Sequence, residues 1–114
     1  MCGIAGHVGH GDAIRGPGEA QALVQAMTGA LRHRGPDASG VHHSGPAVLG
    51  HRRLSIIDLS TDANQPMLSA DGQVVLVFNG EIYNFRELAA ELRDAGVALR
   101  TRSDTEVLLE LYRL

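Results

Sequence analysis

The 114-residue sequence carries one cysteine, at position 2, a single peptide bond from the start of the chain. Removal of Met1 would leave Cys2 with a free α-amine beside its thiol. An α-amine has a pKa of about 8, so it acts as a base at neutral pH where a lysine side chain does not. Position 2 thus offers a nucleophile and a base on one residue; the alternative is a small buried hydrophobe, the usual fate of a lone cysteine. Asn79-Gly80 is the second chemical signal. It closes an apolar run, where the Asn79 side-chain amide and the Gly80 N–H could meet the oxyanion of an acyl transfer, glycine permitting close approach. Its other reading is a strand-ending turn. Arg53 presents a planar fork suited to a carboxylate, and Glu81 or Asp104 an anion for an ammonium group. Together they would grip an α-amino acid by both ends of its zwitterion; singly, each is a surface charge.

Other chemistries are excluded or left without support. All ten cationic side chains are arginine, which excludes a P-loop, Schiff-base chemistry and a lysine general base. His7 and His10 lie three apart and His42 adjoins His43, yet tetrahedral zinc sites use defined Cys/His pairs and there is one cysteine, so no metal is expected. The glycines between Gly6 and Gly11 do not have dinucleotide-binding spacing. A net charge of −3 makes no electrostatic case for nucleic acid or an anionic membrane. No apolar run is long enough to span a bilayer and the N-terminus lacks the pattern of a signal peptide. A single cysteine cannot form an internal disulfide, so a reducing cytoplasm is the expected compartment.

These residues need elements to hold them, and the chain supplies a series. Cys2 to Val8 reads as a short buried strand, broken by His7, Gly9, His10 and Gly11. After Gly16-Pro17-Gly18, the residues Ala20, Leu23, Val24, Met27 and Leu31 recur at helical spacing and predict an amphipathic helix. Arg32 to Asp37 is a charged loop. Strands are expected at Val41–His43 and Ala47–Arg53, parted by Ser44-Gly45-Pro46. The apolar stretch Leu54–Leu59 follows, then a polar loop to Pro66. Asp71-Gly72 predicts a hairpin, and Val74–Phe78 a strand buried on both faces. Asn84 and Glu87 have capping-box spacing before a helix with Phe85, Leu88, Ala89 and Leu92 inward and Gly96 as its C-terminal cap. Ala98–Thr101 suggests a short strand. Ser103-Asp104-Thr105-Glu106 is a full capping box opening a last helix with Val107, Leu108, Leu111 and Tyr112 buried. That helix runs into Leu114 without a stop signal, as in a chain cut mid-domain. Antiparallel strands and hairpins with helices point to an α+β arrangement rather than a βαβ series.

Six motifs in series then carry a resemblance: Met1-Cys2-Gly3-Ile4-Ala5-Gly6, Arg32-His33-Arg34-Gly35-Pro36-Asp37, Gly50-His51-Arg52-Arg53-Leu54-Ser55-Ile56-Ile57-Asp58, Asn64-Gln65-Pro66-Met67, Asn79-Gly80-Glu81-Ile82-Tyr83-Asn84-Phe85 and Ser103-Asp104-Thr105-Glu106. They resemble the glutaminase domain of glutamine-hydrolysing asparagine synthetases and, more broadly, the class II, N-terminal-nucleophile glutamine amidotransferases. The resemblance implies a four-layer αββα sandwich with antiparallel sheets, of which residues 1–114 are the N-terminal part. It implies that Cys2 attacks the carboxamide of glutamine, that Asn79 and Gly80 form the oxyanion hole, and that Arg53 holds the α-carboxylate. Ile56 and Ile57 would line the pocket by their backbone, and Glu81 and Asp104 hold the α-amino group. No cofactor is expected in this segment; ATP and Mg are implied for a synthetase domain that would pass the ammonia to activated aspartate. Glutamine, and through that domain aspartate and ATP, are the implied partners, and a homodimer is left open. So are a related amidotransferase with a different acceptor and a non-catalytic fragment. Downstream sequence separates the asparagine synthetase from an amidotransferase with a different acceptor: a Ser-Gly-Gly-x-Asp-Ser loop marks an adenylating synthetase.

Overall fold

The computed structural model describes residues 1–9 and 17–114; the sequence features at His10, Gly11 and Gly16 lie outside the described residues. Its first unit is a three-stranded antiparallel sheet of β1 (Gly3–Val8), β2 (Ala38–Ser44) and β3 (Ala47–Arg53), in the order β1-β3-β2. The β2–β3 hairpin turns at Gly45-Pro46, with Gly45 in the left-handed region that the turn needs. Gly3 pairs with Arg52 and Ala38 with Arg53. The residue before β1 therefore meets the far end of β3, so the ladder brings Cys2 to Arg53 across 51 positions of sequence.

Helix α1 (Pro17–Ala30) starts on proline, whose fixed φ and missing N–H suit a first helical turn. It crosses one face of the sheet and buries Ala20 and Val24 against Val48, with Val41 at the margin. The buried row is Ala20, Val24 and Thr28; Leu23 and Met27, expected inward, are 37% and 38% exposed. Gly50 explains the narrow row. A Cβ there would overlap the Thr28 hydroxyl and stand 2.9 Å from Val24 Cγ1, so the helix sits on the strand through its smallest side. Replacing Gly50 by alanine is expected to destabilise the fold by about 3 kcal/mol, as overpacking of a closed interface does. The urea midpoint should fall with little change in slope, and an unchanged midpoint would contradict this packing.

The second unit begins after β3. Leu54–Leu59 forms no strand: Ile56 and Leu59 are 63% and 75% exposed, because the segment runs past Ala38, the first residue of β2, and has no partner strand there among the described residues. A 3-10 turn at Thr61–Ala63 leads into a short hairpin of β4 (Met67–Leu68) and β5 (Val75–Leu76). Its loop has Gly72 alone in the left-handed region, with Asp71 accepting from Ser69 Oγ and Gln73 N–H instead. The Val74–Phe78 run is half-buried throughout rather than enclosed on both faces, since only the two-residue β4 pairs with it among the described residues.

Helices α2 (Phe85–Asp94) and α3 (Asp104–Arg113) pack through Ala89, Leu92 and Val107, flanked by Phe85, Leu88, Val97, Leu99 and Leu111. Asn84 makes no side-chain cap, contrary to its capping-box spacing; its φ/ψ of −95°, 24° is not the extended conformation such a cap requires. Gly96, at φ 88°, ends α2 as expected, with Val97 N–H reaching Leu92 O and Gly96 N–H reaching Arg93 O. At α3 the Ser103 Oγ accepts from Glu106 N–H at 3.2 Å. The Glu106 carboxylate turns away from the reciprocal bond and accepts the N–H groups of Arg100 (2.8 Å) and Thr101 (2.6 Å). Those N–H groups are then lost to any ladder, and Ala98–Thr101 is not a strand. With its carboxylate satisfied, Glu106 buries fully, and the inward face of α3 runs through Glu106, Val107, Leu109 and Glu110; Tyr112, expected inside, is 78% exposed.

Candidate active site

Cys2 is half-buried at the entrance to β1. Its carbonyl accepts from Arg34 Nε at 3.1 Å, and its Sγ lies 3.3 Å from Leu54 N and 3.7 Å from Leu54 O. The Arg32–Asp37 loop, though exposed at Arg32, His33, Pro36 and Asp37, is thus a mount for the chain ends of the sheet. Arg34 holds Cys2, Arg52 Nε donates to Gly35 O at 2.8 Å, and Asp37 Oδ2 accepts from Ser55 N–H at 2.8 Å.

Arg53 points from β3 away from α1, on the same face as His51. Its Nη1 donates to Ser60 O (2.6 Å) and to Asn64 Oδ1 (2.7 Å). Both acceptors are neutral. Among the described residues the buried guanidinium has no carboxylate within 4.0 Å, which leaves its charge to be matched by an anionic ligand. Asp58 lies in the loop after β3 and ties it to the entrance of α3, accepting from Ser60 N–H and Arg102 N–H at 2.8 Å each. Hydrogen bonds from the Ser60 side chain, then from those backbone groups, hold its carboxyl down at about 2.

Across from Arg53, strand β5 runs out through Phe78 into Asn79, Gly80 and Glu81, all three exposed. A Cβ on Gly80 would come 2.8 Å from the Phe78 ring, so any larger residue would push the loop off the ring. Asp104, in the first turn of α3, is buried and accepts Ile82 N–H at 3.1 Å. One of its oxygens therefore fixes the loop carrying Glu81.

Behind the loop, buried His51 donates from Nε2 to Phe78 O at 3.2 Å. A carbonyl can only accept, so the proton is on Nε2, and Nδ1 is buried with no partner among the described residues. Burial pushes this imidazole below its ordinary value, the Phe78 hydrogen bond opposes the shift, and the Arg53 charge adds to it. A histidine lowered in the fold binds its proton more readily when unfolded. Its contribution is complete above the unfolded value of about 6.5 and is lost as pH falls below it. The expected result is a melting temperature that declines from pH 7 toward pH 5, with the His51 ring resonances titrating at lower pH than those of a free imidazole. An imidazole already charged at pH 6.5 would refute that reading.

All eight residues singled out by sequence line one cleft of about 400 Å³: Cys2, Arg53, Ile56, Ile57, Asn79, Gly80, Glu81 and Asp104. Of these, Arg53 and Asp104 are buried, Cys2 is half-buried, and the other five are exposed. The cleft also takes in Gln65, Phe78, Tyr83 and Thr105, to which sequence reasoning gave no role. The Asn64-Gln65-Pro66-Met67 motif was the available signal for Gln65. A thiol, an unmatched guanidinium, a carboxylate and a loop of backbone and amide donors thus face one space, a set suited to acyl transfer from an amino-acid amide. Among the described residues no three His, Cys, Asp or Glu side chains group to hold a metal ion, and no helix is long and apolar enough to cross a membrane.

A family described as a glutamine amidotransferase domain matches residues 1–114. Glutamine-hydrolyzing asparagine synthetase 1 of Bacillus subtilis (strain 168) is 42% identical over 113 residues, covering 99% of this chain and 18% of that protein. The glutamine-hydrolyzing asparagine synthetase of Triphysaria versicolor is 39% identical over 112 residues, 98% of this chain and 18% of its own length. Amidase chry2 of Gibberella zeae is 40% identical over 124 residues, 99% of this chain and 18% of its own. The chain therefore spans under a fifth of the length of these relatives.

Proposed function

The chain belongs to the glutamine amidotransferase domain family, and from that premise we propose that its cleft hydrolyses glutamine to glutamate and ammonia. The reading is carried by the convergence of Cys2, Arg53, Asn79, Gly80, Glu81 and Asp104 on one cleft. Once Met1 is removed, the Cys2 α-amine takes the thiol proton and Sγ attacks the side-chain carbonyl carbon of glutamine. Asn79 and Gly80 donate to the resulting oxyanion. The C–N bond breaks, the nitrogen leaves as ammonia with the proton returned by the amine, and water cleaves the γ-glutamyl thioester to regenerate the thiol. Arg53 holds the α-carboxylate, and Asp104 with Glu81 the α-ammonium, while the Ile56 and Ile57 backbone shapes the wall.

On this reading residues 1–114 are the N-terminal part of a class II amidotransferase domain, an αββα sandwich whose layers this segment begins. The ammonia passes to aspartate activated by ATP and Mg in a synthetase domain, in the cytoplasm. No residue of this chain is assigned to ATP or Mg. The match to a relative named for amidase activity favours one second reading, the same glutaminase step serving another acceptor. Aspartate-dependent exchange of pyrophosphate into ATP by the intact protein supports the first acceptor, and its absence supports the second. The glutaminase step is tested by treating the protein with an electrophilic glutamine analogue. The adduct is expected on Cys2, with an intact mass lacking Met1; labelling at any other residue would refute the assignment.

A further inference from the structure

The Asn64-Gln65-Pro66-Met67 motif has no part in the chemistry above, yet its first two side chains hold both ends of the proposed site. Asn64 Oδ1 fixes Arg53. Gln65, buried, turns its amide to the backbone of Phe78: Phe78 N–H donates to Oε1 at 2.6 Å, and Nε2 donates to Phe78 O at 3.2 Å. An N–H can only donate, so this pairing fixes which end of the amide is which. The same Nε2 reaches Thr105 Oγ1 at 3.3 Å, beside Asp104. The Gln65 backbone is itself seated on β2, where a Cβ on Gly40 would stand 3.1 Å from Pro66 Cδ and overlap Gln65 O. One side chain thus takes the place of a neighbouring strand, pairing with the last residue before Asn79-Gly80 and tying it to the helix that carries Asp104.

We propose that Gln65 is a positioning residue for the oxyanion donors, clamping Phe78 so that Asn79 and Gly80 stay aimed into the cleft and in register with Asp104. The inference rests on the glutaminase reading of that cleft. The Asn79–Glu81 loop is exposed and belongs to no helix or strand; Asp104 holds its far end at Ile82 N–H, and its near end is set at Phe78, where His51 shares the carbonyl but Gln65 alone takes the N–H among the described residues. Preorganised donors act only while they need no reorganisation at the moment of reaction.

The test uses the intact protein with Gln65→Met, which keeps side-chain length and removes the clamp. The kcat for glutamine hydrolysis is expected to fall about 10- to 100-fold, with KM within about threefold, as when a transition-state donor is misaimed. Binding of an aldehyde analogue of glutamine, whose thiohemiacetal oxyanion needs the same donors, should weaken by a similar factor. Alkylation of Cys2 by iodoacetamide develops no oxyanion and should keep its wild-type rate. Thr105→Val, which breaks only the link to α3, should lower kcat about threefold in the same pattern, and it decides the matter if the methionine variant does not fold. A wild-type kcat in whichever variant decides, or kcat and alkylation falling together, would overturn the inference while leaving the glutaminase reading intact. A wild type that does not hydrolyse glutamine would remove that reading, and the inference with it.

Discussion

Cys2→Ala is expected to lower glutamine hydrolysis by about 10⁴-fold or more, the scale seen when a covalent nucleophile is deleted, and to leave the fold in place. The two halves of this expectation have separate causes. Among the described residues that line the cleft, Cys2 carries the one thiol, the most nucleophilic side chain there near neutral pH. Structurally it contributes little: it is half-buried, and its contacts are long sulfur hydrogen bonds to Leu54 N and O. Loss of one sulfur atom there should change stability by about 1 kcal/mol or less. Cys2 is held in place by its carbonyl, through Arg34, and alanine keeps that bond. Protein that retains Met1 should be as inactive as the alanine variant, since its thiol then lacks the adjacent free amine. Where an acceptor domain is present, synthesis from added ammonia should survive the substitution. Measurable turnover with glutamine in Cys2→Ala protein would show that another group attacks the amide.

The legible parts of this molecule are those written in local pattern. β1, the β2–β3 hairpin, α1 and the Gly96 cap follow from periodicity and turn residues, and two of the proposed site residues, Cys2 and Arg53, meet because they share one end of the β1–β3 ladder. What the pattern hides is side-chain-to-backbone bonding over long separations. Glu106 looks like half of a capping box, yet it captures Arg100 and Thr101 N–H groups and so removes a strand that propensity supports. The burial of α3 follows that carboxylate, not the apolar stripe through Leu108 and Tyr112. Asn84 fails as a cap because the loop before it is fastened elsewhere, through Ile82 to Asp104. Gln65 acts through a backbone 13 residues away, a relation no short window can display.

Arg53 carries the second large expectation, a loss of substrate binding on Arg53→Lys of about 100-fold. The reason lies in how the arginine is held. Arg53 is 7% exposed, and its guanidinium is held by one nitrogen, against two neutral oxygens, with no carboxylate within ion-pair distance among the described residues. Asp58 registers its charge, but Arg53 is the smallest of the causes that hold that carboxyl low. A buried cation without a counterion is costly, and a ligand that supplies the anion recovers the attraction without paying to order the arginine. Breaking such a desolvated, hydrogen-bonded charge pair typically costs about 2–5 kcal/mol. Lysine keeps the charge but not the fork. Its single ammonium cannot hold Ser60 O and Asn64 Oδ1 through one nitrogen while presenting others to a carboxylate. The measurement is calorimetric binding of glutamine to Cys2→Ala protein, which prevents turnover, with and without Arg53→Lys. Glutaminamide, lacking the carboxylate charge, should bind both proteins with nearly equal, weak affinity. If glutamine lost no more affinity than glutaminamide, the carboxylate would have to be held elsewhere in the cleft.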